Sequence, residues 1–196
     1  MPDIKHFDPD VALERVEELF WQRGAATTSI QAVATTTGLN RSSLYATFGD
    51  KRDLYLAALR RYVRVRAEPA LRRLAQDERG LPAIREFFAE LIEARCSGAY
   101  AGWGCMIVNA HAGAECADPA VQTLLNQHFE YLRDALRDAL DTACHQDQVA
   151  EGITAEAADV LTLLAYGVNL RSRAGADADT LHHAVTVTLA QLARDL

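Results

Sequence analysis

Apolar residues recur every three or four positions along most of this chain, which is the period of an amphipathic α-helix. Val16 and Phe20 share one face of the first such segment. Asp8 precedes that segment as a helix cap, and Gly24 follows it as a terminator. Residues 185–189 alternate like a strand, but they stand alone between helical signals, so we assign them to a helix. The pattern predicts an all-α fold of about nine or ten helices.

Capping residues and helix breakers divide the first fifty residues into three short helices. Thr28 is predicted to cap the second helix, because Gln31 follows three residues later and completes a capping box. Gly38 lies in the turn after this helix. Asn40 is predicted to cap a third helix that runs to about Thr47.

The rest of the chain is predicted to be helical as well. Asp50 caps a helix from Lys51 to about Arg66, and Pro69 lies just beyond its end. A loop rich in small residues is expected at 97–104. The later helices are predicted at 82–96, 106–112, 119–145, 154–173 and 178–196. Their caps are assigned to Asp118, Thr154, and either Asp177 or Asp179.

The last two predicted helices carry apolar residues on almost every side. Those of residues 154–173 are Ala157, Val160, Leu161, Leu163, Leu164, Ala165, Tyr166, Val168 and Leu170. The final helix adds Leu181, Ala184, Val185, Leu189, Leu192 and Leu196. A helix that is apolar all round is buried on several sides, and a domain of this size rarely encloses one by itself. We therefore expect a four-helix bundle with a second copy of the chain, the alternative being that both helices complete the core of one chain.

Charge is unevenly distributed along the chain, whose net charge is −7. Residues 1–66 hold ten Lys or Arg and eight Asp or Glu, whereas residues 67–196 hold ten and nineteen. The basic residues of the first part cluster at Arg41, Lys51, Arg52, Arg60, Arg61, Arg64 and Arg66. A near-neutral to basic head on an acidic body is typical of a protein that presents one face to phosphates. The hydrophobic fraction of 49% excludes a disordered chain.

Residues 28–47 have the order of a helix-turn-helix, with two short helices joined by a turn that contains Gly38. The second helix begins with small polar residues and Arg41, an end that suits the approach to base edges in the major groove. DNA contacts are expected from Thr28, Ser29, Asn40, Arg41, Ser42, Ser43, Tyr45, Thr47 and Lys51. The alternative is a structural three-helix unit without nucleic acid, which leaves the outward cluster of Arg41, Tyr45 and Lys51 unexplained.

Over residues 9–62 the sequence resembles the signature of the TetR family of repressors. The matching positions are Phe20, Gly24, Thr28, Ser29, Ile30, Val33, Ala34, Gly38, Leu39, Leu44, Tyr45, Phe48, Lys51 and Leu54. Three positions depart from the pattern. Ser42 stands where Gly is common, Thr47 stands where His is common and donates more weakly to phosphate, and Gly49 occupies a variable turn position. Residues 104–110, followed by Asp118, also resemble C-terminal domains found in part of the family.

The resemblance implies a helix-turn-helix DNA-binding domain over residues 1–50, a connecting helix over 51–67, and a ligand-binding and dimerisation domain over 68–196. It implies a homodimer that binds a palindromic operator and releases it when a small-molecule effector moves the two heads apart. The effector pocket is expected to combine apolar walls with a few polar groups. Its candidates are Phe87, Phe88, Leu91, Tyr100, Trp103, Cys105, Met106, Asn109, His128, Tyr166 and Asn169. Core packing is the alternative for each apolar member, and His128 is expected to be a hydrogen-bonded interior residue.

Other classes of function have less support. No Gly-x-Gly-x-x-Gly, Gly-x-Ser-x-Gly or His-Glu-x-x-His pattern occurs, so we expect no catalytic residues and no cofactor. A metal site is not expected either, because His182 and His183 have no acidic or Cys partner at ligand spacing. Cys105 at a helix start suggests a thiol-based redox or electrophile sensor, with an inert buried thiol as the alternative. A cysteine-dependent enzyme and an adaptor that does not bind DNA remain as further alternatives.

No targeting segment is visible near the N-terminus, and no apolar run is long enough to cross a bilayer. We therefore expect a cytoplasmic protein without a membrane partner. The four cysteines are scattered without a metal-ligand pattern such as Cys-x-x-Cys, and we expect them to be reduced in that compartment.

Overall fold

The computed structural model describes residues 7–193, and these residues form an all-helical fold, as predicted. The α-helices are α1 (Pro9–Arg23), α2 (Ile30–Thr37), α3 (Arg41–Phe48), α4 (Lys51–Tyr62), α5 (Glu68–Ala75), α6 (Leu81–Cys96), α7 (Met106–His111), α8 (Pro119–His145), α9 (Thr154–Arg173) and α10 (Ala178–Leu192). A π-helical segment (Val63–Ala67) follows α4, and a 3₁₀ helix (Ala114–Ala117) follows α7. Within the described range the only β-type pairing is an isolated bridge between Val149 and Ala193. The predicted position of Leu196 and the first six residues of the predicted head lie outside the described residues.

Most helix starts lie where the capping residues predict them. Carboxylate or amide oxygens of Asp8, Asn40, Asp50, Asp118 and Asp177 each accept a hydrogen bond from a backbone N–H in the first turn of the following helix. The assignment of the α9 cap to Thr154 is wrong, because Thr154 is the first helical residue and no side chain caps that helix.

The start of α2 lies one residue later than predicted. Ser29 is its cap and accepts a hydrogen bond from the Ala32 N–H at 3.1 Å. The Thr28 hydroxyl instead donates to the Gly24 carbonyl at 2.7 Å and closes the loop between α1 and α2. Ser is a somewhat better cap than Thr, but both residue types cap helices, and the spacing from Thr28 to Gln31 led to the assignment of Thr28. The capping box with Gln31 is therefore not formed.

The connection after α4 also differs from the prediction of a helix that ends near Arg66. Helix α4 ends at Tyr62 and continues through the π-helical segment directly into α5. Pro69 is the second residue of α5 rather than a residue beyond a helix end. Proline is tolerated in the first turn because its missing N–H has no intrahelical acceptor there.

Two clusters of buried apolar residues hold the helices together. The first joins α1 to α4 with α7 and the start of α8, and includes Phe20, Leu59, Ile107 and Leu125. The second joins α5, α6, α8, α9 and α10. Helix α7 therefore packs against the N-terminal helices although it follows them by more than forty residues.

A buried ion-pair network, centred on Glu17, fixes α1 on the following helices. Glu17 is fully buried, and its two carboxylate oxygens accept hydrogen bonds from Arg61 at 2.5 Å and from Arg66 at 2.6 Å. The Arg66 guanidinium also lies 4.6 Å from the ring centroid of Tyr100 and 5.3 Å from that of Trp21. Burial alone would lower the pKa of Arg66, but the hydrogen bonds to Glu17 and Tyr100 outweigh it and raise that pKa.

This network corrects part of the expected basic surface. Arg61 and Arg66 belong to the cluster of positive residues read from the sequence, yet their side chains point into the network rather than to solvent. Arg52 pairs with Asp118 at the start of α8. These three arginines therefore join helices of the same chain, and they leave less positive charge for an external phosphate backbone than the sequence suggests.

No helix among residues 7–193 is both long enough and apolar enough to span a membrane.

We expect Glu17→Gln to lower the free energy of unfolding by about 3 kcal/mol, because it leaves two partly buried guanidinium groups without their counter-charge. Glu14→Gln is the matched control, since Glu14 also pairs with Arg61 but is 48% exposed and should cost less than about 1 kcal/mol. Urea unfolding at one fixed protein concentration measures both values. Equal losses in the two variants would contradict a central role for the buried carboxylate.

Candidate nucleic-acid interface and ligand cavity

Helices α2 and α3 form the predicted helix-turn-helix. Gly38 ends α2 with a φ of 73°, a left-handed conformation that glycine adopts without strain. The Asn40 side-chain oxygen then accepts from the Ser43 N–H and from the Ser42 hydroxyl, both at 2.8 Å. These bonds hold the first turn of α3 in one geometry.

The two sides of α3 differ in the way that a recognition helix requires. Leu44 is buried in the first apolar cluster, whereas Arg41, Ser42 and Tyr45 are exposed on the other side. The Arg41 guanidinium donates to the Gln31 side-chain oxygen at 2.9 Å and so lies beside the start of α2. The exposed side of α3 therefore offers the bidentate guanidinium of Arg41 and the hydroxyl groups of Ser42 and Tyr45 to a ligand.

Most of the predicted DNA contacts lie on α3 or directly before it, while Ser29 caps α2 and Lys51 begins α4. Exposed members are Ser29, Asn40, Arg41, Ser42 and Tyr45, and half-buried members are Ser43, Thr47 and Lys51. Thr28 is only 2% exposed, and its hydroxyl is already bonded to Gly24. A phosphate therefore has little access to the Thr28 side chain. Sequence reasoning missed Gln31, which was interpreted as a capping residue but lies exposed beside Arg41.

The eleven predicted pocket residues do not line one cavity. Tyr100, Trp103, Cys105 and Met106 belong to the first apolar cluster, whereas Phe87, Phe88 and Leu91 belong to the second. Tyr166 packs against both clusters. Several of these residues are therefore core residues, which was the alternative considered for them.

His128 lies buried on α8, close enough to His111 for the charge of His111 to act on it. Burial, with a smaller contribution from the charge of His111, lowers the pKa of His128 to about 4. The Nδ1 atom of His128 is buried and has no hydrogen-bond partner among the described residues, so the expected hydrogen bond at this nitrogen is absent. The nearby His111 Nδ1 lies 3.1 Å from the Tyr166 hydroxyl.

Cys105 directly precedes α7 and is only 5% exposed. Its neighbours include Tyr62 and the guanidinium of Arg95. Arg95 donates to the Asn169 side-chain oxygen at 2.6 Å and to the Tyr62 hydroxyl at 3.4 Å. The thiol is thus enclosed by the first cluster, and a reagent reaches it only if the helices around it open.

A cleft of about 430 Å³ lies where the N-terminal helices meet the body. Only Met106 and Asn109 of the predicted pocket residues line it. Its other lining residues are Phe20, Trp21, Arg23, Gly24, Ala26, Thr27, Tyr55, Ala110, Ala112, Gly113, Ala114, Glu115, Leu170 and Arg173. No local pattern along the chain predicts this cleft, because its walls come from segments as far apart as Phe20 and Arg173.

Three long-range hydrogen bonds surround the cleft, and the first two of them join the N-terminal helices to the body. The Ala26 N–H donates to the Glu115 carboxylate at 2.8 Å. The Trp21 indole donates to the Gly104 carbonyl at 3.0 Å. The Arg173 guanidinium at the end of α9 donates to the Trp103 carbonyl at 2.8 Å.

Among the described residues, no group of three or more His, Cys, Asp or Glu side chains is arranged to hold a metal ion.

We expect stability to fall as the pH decreases from about 6.5 to about 4, because the unfolded chain binds a proton at His128 in this range and the native chain does not. The pKa of His111 is also lowered by burial and acts in the same direction. The His128 contribution is about 3 kcal/mol between these limits. His128→Leu should remove most of this loss, while His182→Leu, on the exposed side of α10, should retain it. Urea unfolding across this pH range measures the effect, and an identical pH profile in all three proteins would contradict it.

Two family models match this chain. One, described as bacterial regulatory proteins of the tetR family, matches residues 13–58. The other, described as a tetracyclin repressor-like C-terminal domain, matches residues 80–188 and so covers more than half of the chain.

Relatives and a solved structure agree with these matches. The chain is 29% identical over 194 residues to the uncharacterized HTH-type transcriptional regulator YezE of Bacillus subtilis (strain 168), with 96% of this chain and 97% of the relative covered. It is 25% identical over 186 residues to the HTH-type transcriptional repressor ComR of Escherichia coli (strain K12), with coverage of 94% and 89%. A cysteine mutant of the TetR family transcriptional regulator CifR, complexed with 26 bp double-strand operator DNA, superposes with a TM-score of 0.83 at 23% identity, covering 95% and 97% of the two chains. This last likeness concerns the fold.

Proposed function

Since the chain is a DNA-binding transcriptional regulator of the TetR family, we propose that it is a homodimeric repressor that releases a palindromic operator when a small ligand binds. The observation that carries this proposal is the exposed side of α3, where Arg41, Ser42 and Tyr45 face solvent while Leu44 anchors the helix in the core. The operator-bound neighbour and the relative named as a repressor support the same role for this chain.

In this proposal α3 enters the major groove of the operator. The small side chains of Ser42 and Ser43 allow the helix to approach the base edges, and Arg41 binds a guanine edge. Tyr45, Thr47 and Lys51 contact phosphates. At the start of α2, Ser29 contributes a hydroxyl and the free N–H groups of the first turn to another phosphate. Two copies related by a two-fold axis then recognise two half-sites about one helical turn apart.

The dimer is proposed to form through residues 154–173 and 178–196. In the single chain Leu163 is 63% exposed, and Val160 and Val187 are also exposed. Water contact with these three large apolar side chains on two adjacent helices is unfavourable, and pairing with the same helices of a second copy removes it. The resulting four-helix bundle corresponds to an isologous interface.

The proposed division of labour follows the predicted domains. Residues 1–50 bind DNA, residues 51–67 connect, and residues 68–196 bind the ligand and the second copy. We propose regulation rather than catalysis as the role of the chain, and the cytoplasm as its location. The thiol-sensing alternative through Cys105 has less support, because that thiol is enclosed by the first apolar cluster.

We expect Arg41→Ala to weaken binding to an operator selected from random duplexes by about 10- to 100-fold and to relax base preference at one position, since a bidentate arginine–guanine pair is worth about 1–3 kcal/mol. Lys51→Ala should weaken binding to operator and random DNA equally and reduce the salt slope by about one. Fluorescence anisotropy at several salt concentrations measures both effects. Arg85→Ala, on the exposed side of α6, is the matched control. Unchanged affinity and base preference in Arg41→Ala would contradict the assignment of α3 as the recognition helix.

We expect Leu163→Glu to give a monomer, because a charged side chain would be buried without a partner in the proposed bundle. Binding to a two-half-site operator should then fall by at least 100-fold. The control is Val11→Glu on α1, where the apolar side chain is similarly exposed at 46% but lies outside the proposed interface. Sedimentation equilibrium measures the molecular mass. A dimer that persists in Leu163→Glu at micromolar concentration would overturn this interface.

A further inference from the structure

The 430 Å³ cleft lies at the junction between the DNA-binding helices and the body. One wall comes from the end of α1 and the loop that leads to α2, including Arg23 and Ala26. The opposite wall comes from α7, the 3₁₀ helix and the end of α9, including Asn109, Glu115 and Arg173. A molecule in this cleft would therefore touch both parts of the chain at once.

The charged groups of the cleft are unbalanced. Arg23 and Arg173 have no carboxylate within 4 Å among residues 7–193, and the Arg23 side chain forms no hydrogen bond there. Glu115 is the third charged residue of the lining, and one of its oxygens already accepts from the Ala26 N–H. Two guanidinium groups against one carboxylate leave a net charge of about +1, which attracts a monoanion.

The rest of the lining is largely apolar. Phe20, Trp21, Tyr55, Met106 and Leu170 contribute aromatic and aliphatic surface. Burial, together with the charge of Glu115, raises the pKa of Tyr55 and keeps its hydroxyl neutral. A ligand that satisfies both features has one negative group and an apolar body.

We propose that this cleft binds a small organic monoanion, an aryl or medium-chain carboxylate, with its carboxylate between Arg23 and Arg173 and its apolar body against Trp21, Met106 and Leu170. We further propose that occupancy weakens DNA binding. This second half rests on the proposed function, whereas the first half does not.

The coupling follows from the bonds that surround the cleft. Arg173 reaches the Trp103 carbonyl at 2.8 Å and the carbonyls of Trp21 and Gln22 at the end of α1, each at 3.5 Å. A bound carboxylate competes for this guanidinium and repels the Glu115 carboxylate that holds Ala26. Both effects loosen the contacts that position α1 and the start of α2 on the body. The ligand then has unequal affinity for the held and the loosened head, which is the condition for a ligand-driven change.

The experiment uses the full-length chain and three carboxylates, phenylacetate, 1-naphthylacetate and octanoate, each compared with its neutral amide. Isothermal titration calorimetry without DNA measures binding. At least one acid should bind saturably and at least tenfold more tightly than its amide. Arg23→Gln should weaken that binding at least fivefold. Glu115→Gln, which keeps an acceptor for Ala26 but removes the negative charge, should strengthen it at least twofold.

Arg85→Gln, far from the cleft on α6, is the matched control and should bind as the unmodified chain does. Arg173→Gln should also weaken binding, but Arg23→Gln carries the test because the Arg23 side chain forms no hydrogen bond or ion pair among residues 7–193, whereas Arg173 also bonds to three carbonyls. Absence of saturable binding for all three acids, equal binding of acid and amide, or unchanged affinity in both Arg23→Gln and Glu115→Gln would overturn the site.

Anisotropy with operator DNA tests the second half separately. The acid that binds should raise the Kd for DNA at least threefold in the unmodified chain and much less in Arg23→Gln. Saturable acid binding with an unchanged Kd for DNA overturns the coupling and leaves the site standing. If the unmodified chain binds the acid but binds no operator DNA, the proposed function is overturned and the site is not.

Discussion

The arrangement of the whole molecule depends on one buried carboxylate, Glu17, held between two guanidinium groups. A buried charge is unfavourable unless it is paired and hydrogen-bonded, and Arg61 and Arg66 satisfy both oxygens of Glu17. The two arginines lie on different segments, α4 and the π-helical turn. Because both bond to the same carboxylate, they tie α1 to α4 and to the turn that follows it. A change in the path of α4 therefore acts directly on α1, which precedes the helix-turn-helix.

The packing of α7 extends this constraint from the head to the body. Ile107 and Met106 lie in the same apolar cluster as Phe20 and Leu59, so the head shares its core with a helix of the body. The Trp21 indole on α1 also donates a hydrogen bond to the Gly104 carbonyl, which lies just before α7. A signal that moves α7 or the 3₁₀ helix therefore reaches α1 through contacts that are already formed. The junction between head and body, rather than the centre of the body, is where the described structure combines open volume with unpaired charge.

The exposed side of α3 and the proposed dimer interface follow from the same physical rule, which is that exposed apolar surface is unfavourable and exposed polar surface is not. On α3 the polar side faces solvent while Leu44 is buried, which is stable in a single chain and needs no partner to fold. On α9 the apolar Leu163 faces solvent, which is unfavourable until another surface covers it. The first surface suits a ligand that comes and goes, such as an operator, and the second suits a permanent partner, such as a second copy of the chain.

The sequence by itself determined the features that depend on neighbours within one helical turn. Asp8, Asn40 and Asp50 cap helices where their positions predict, because a cap bonds to backbone groups two or three residues away. The same local logic placed the helix-turn-helix and the outward side of α3. Only the tertiary structure decided which arginines turn inward to Glu17. The burial of Thr28 and the position of the cleft between Arg23 and Arg173 depend on it as well. These features join residues that are tens of residues apart, and helical periodicity carries no information about which distant side chains will meet.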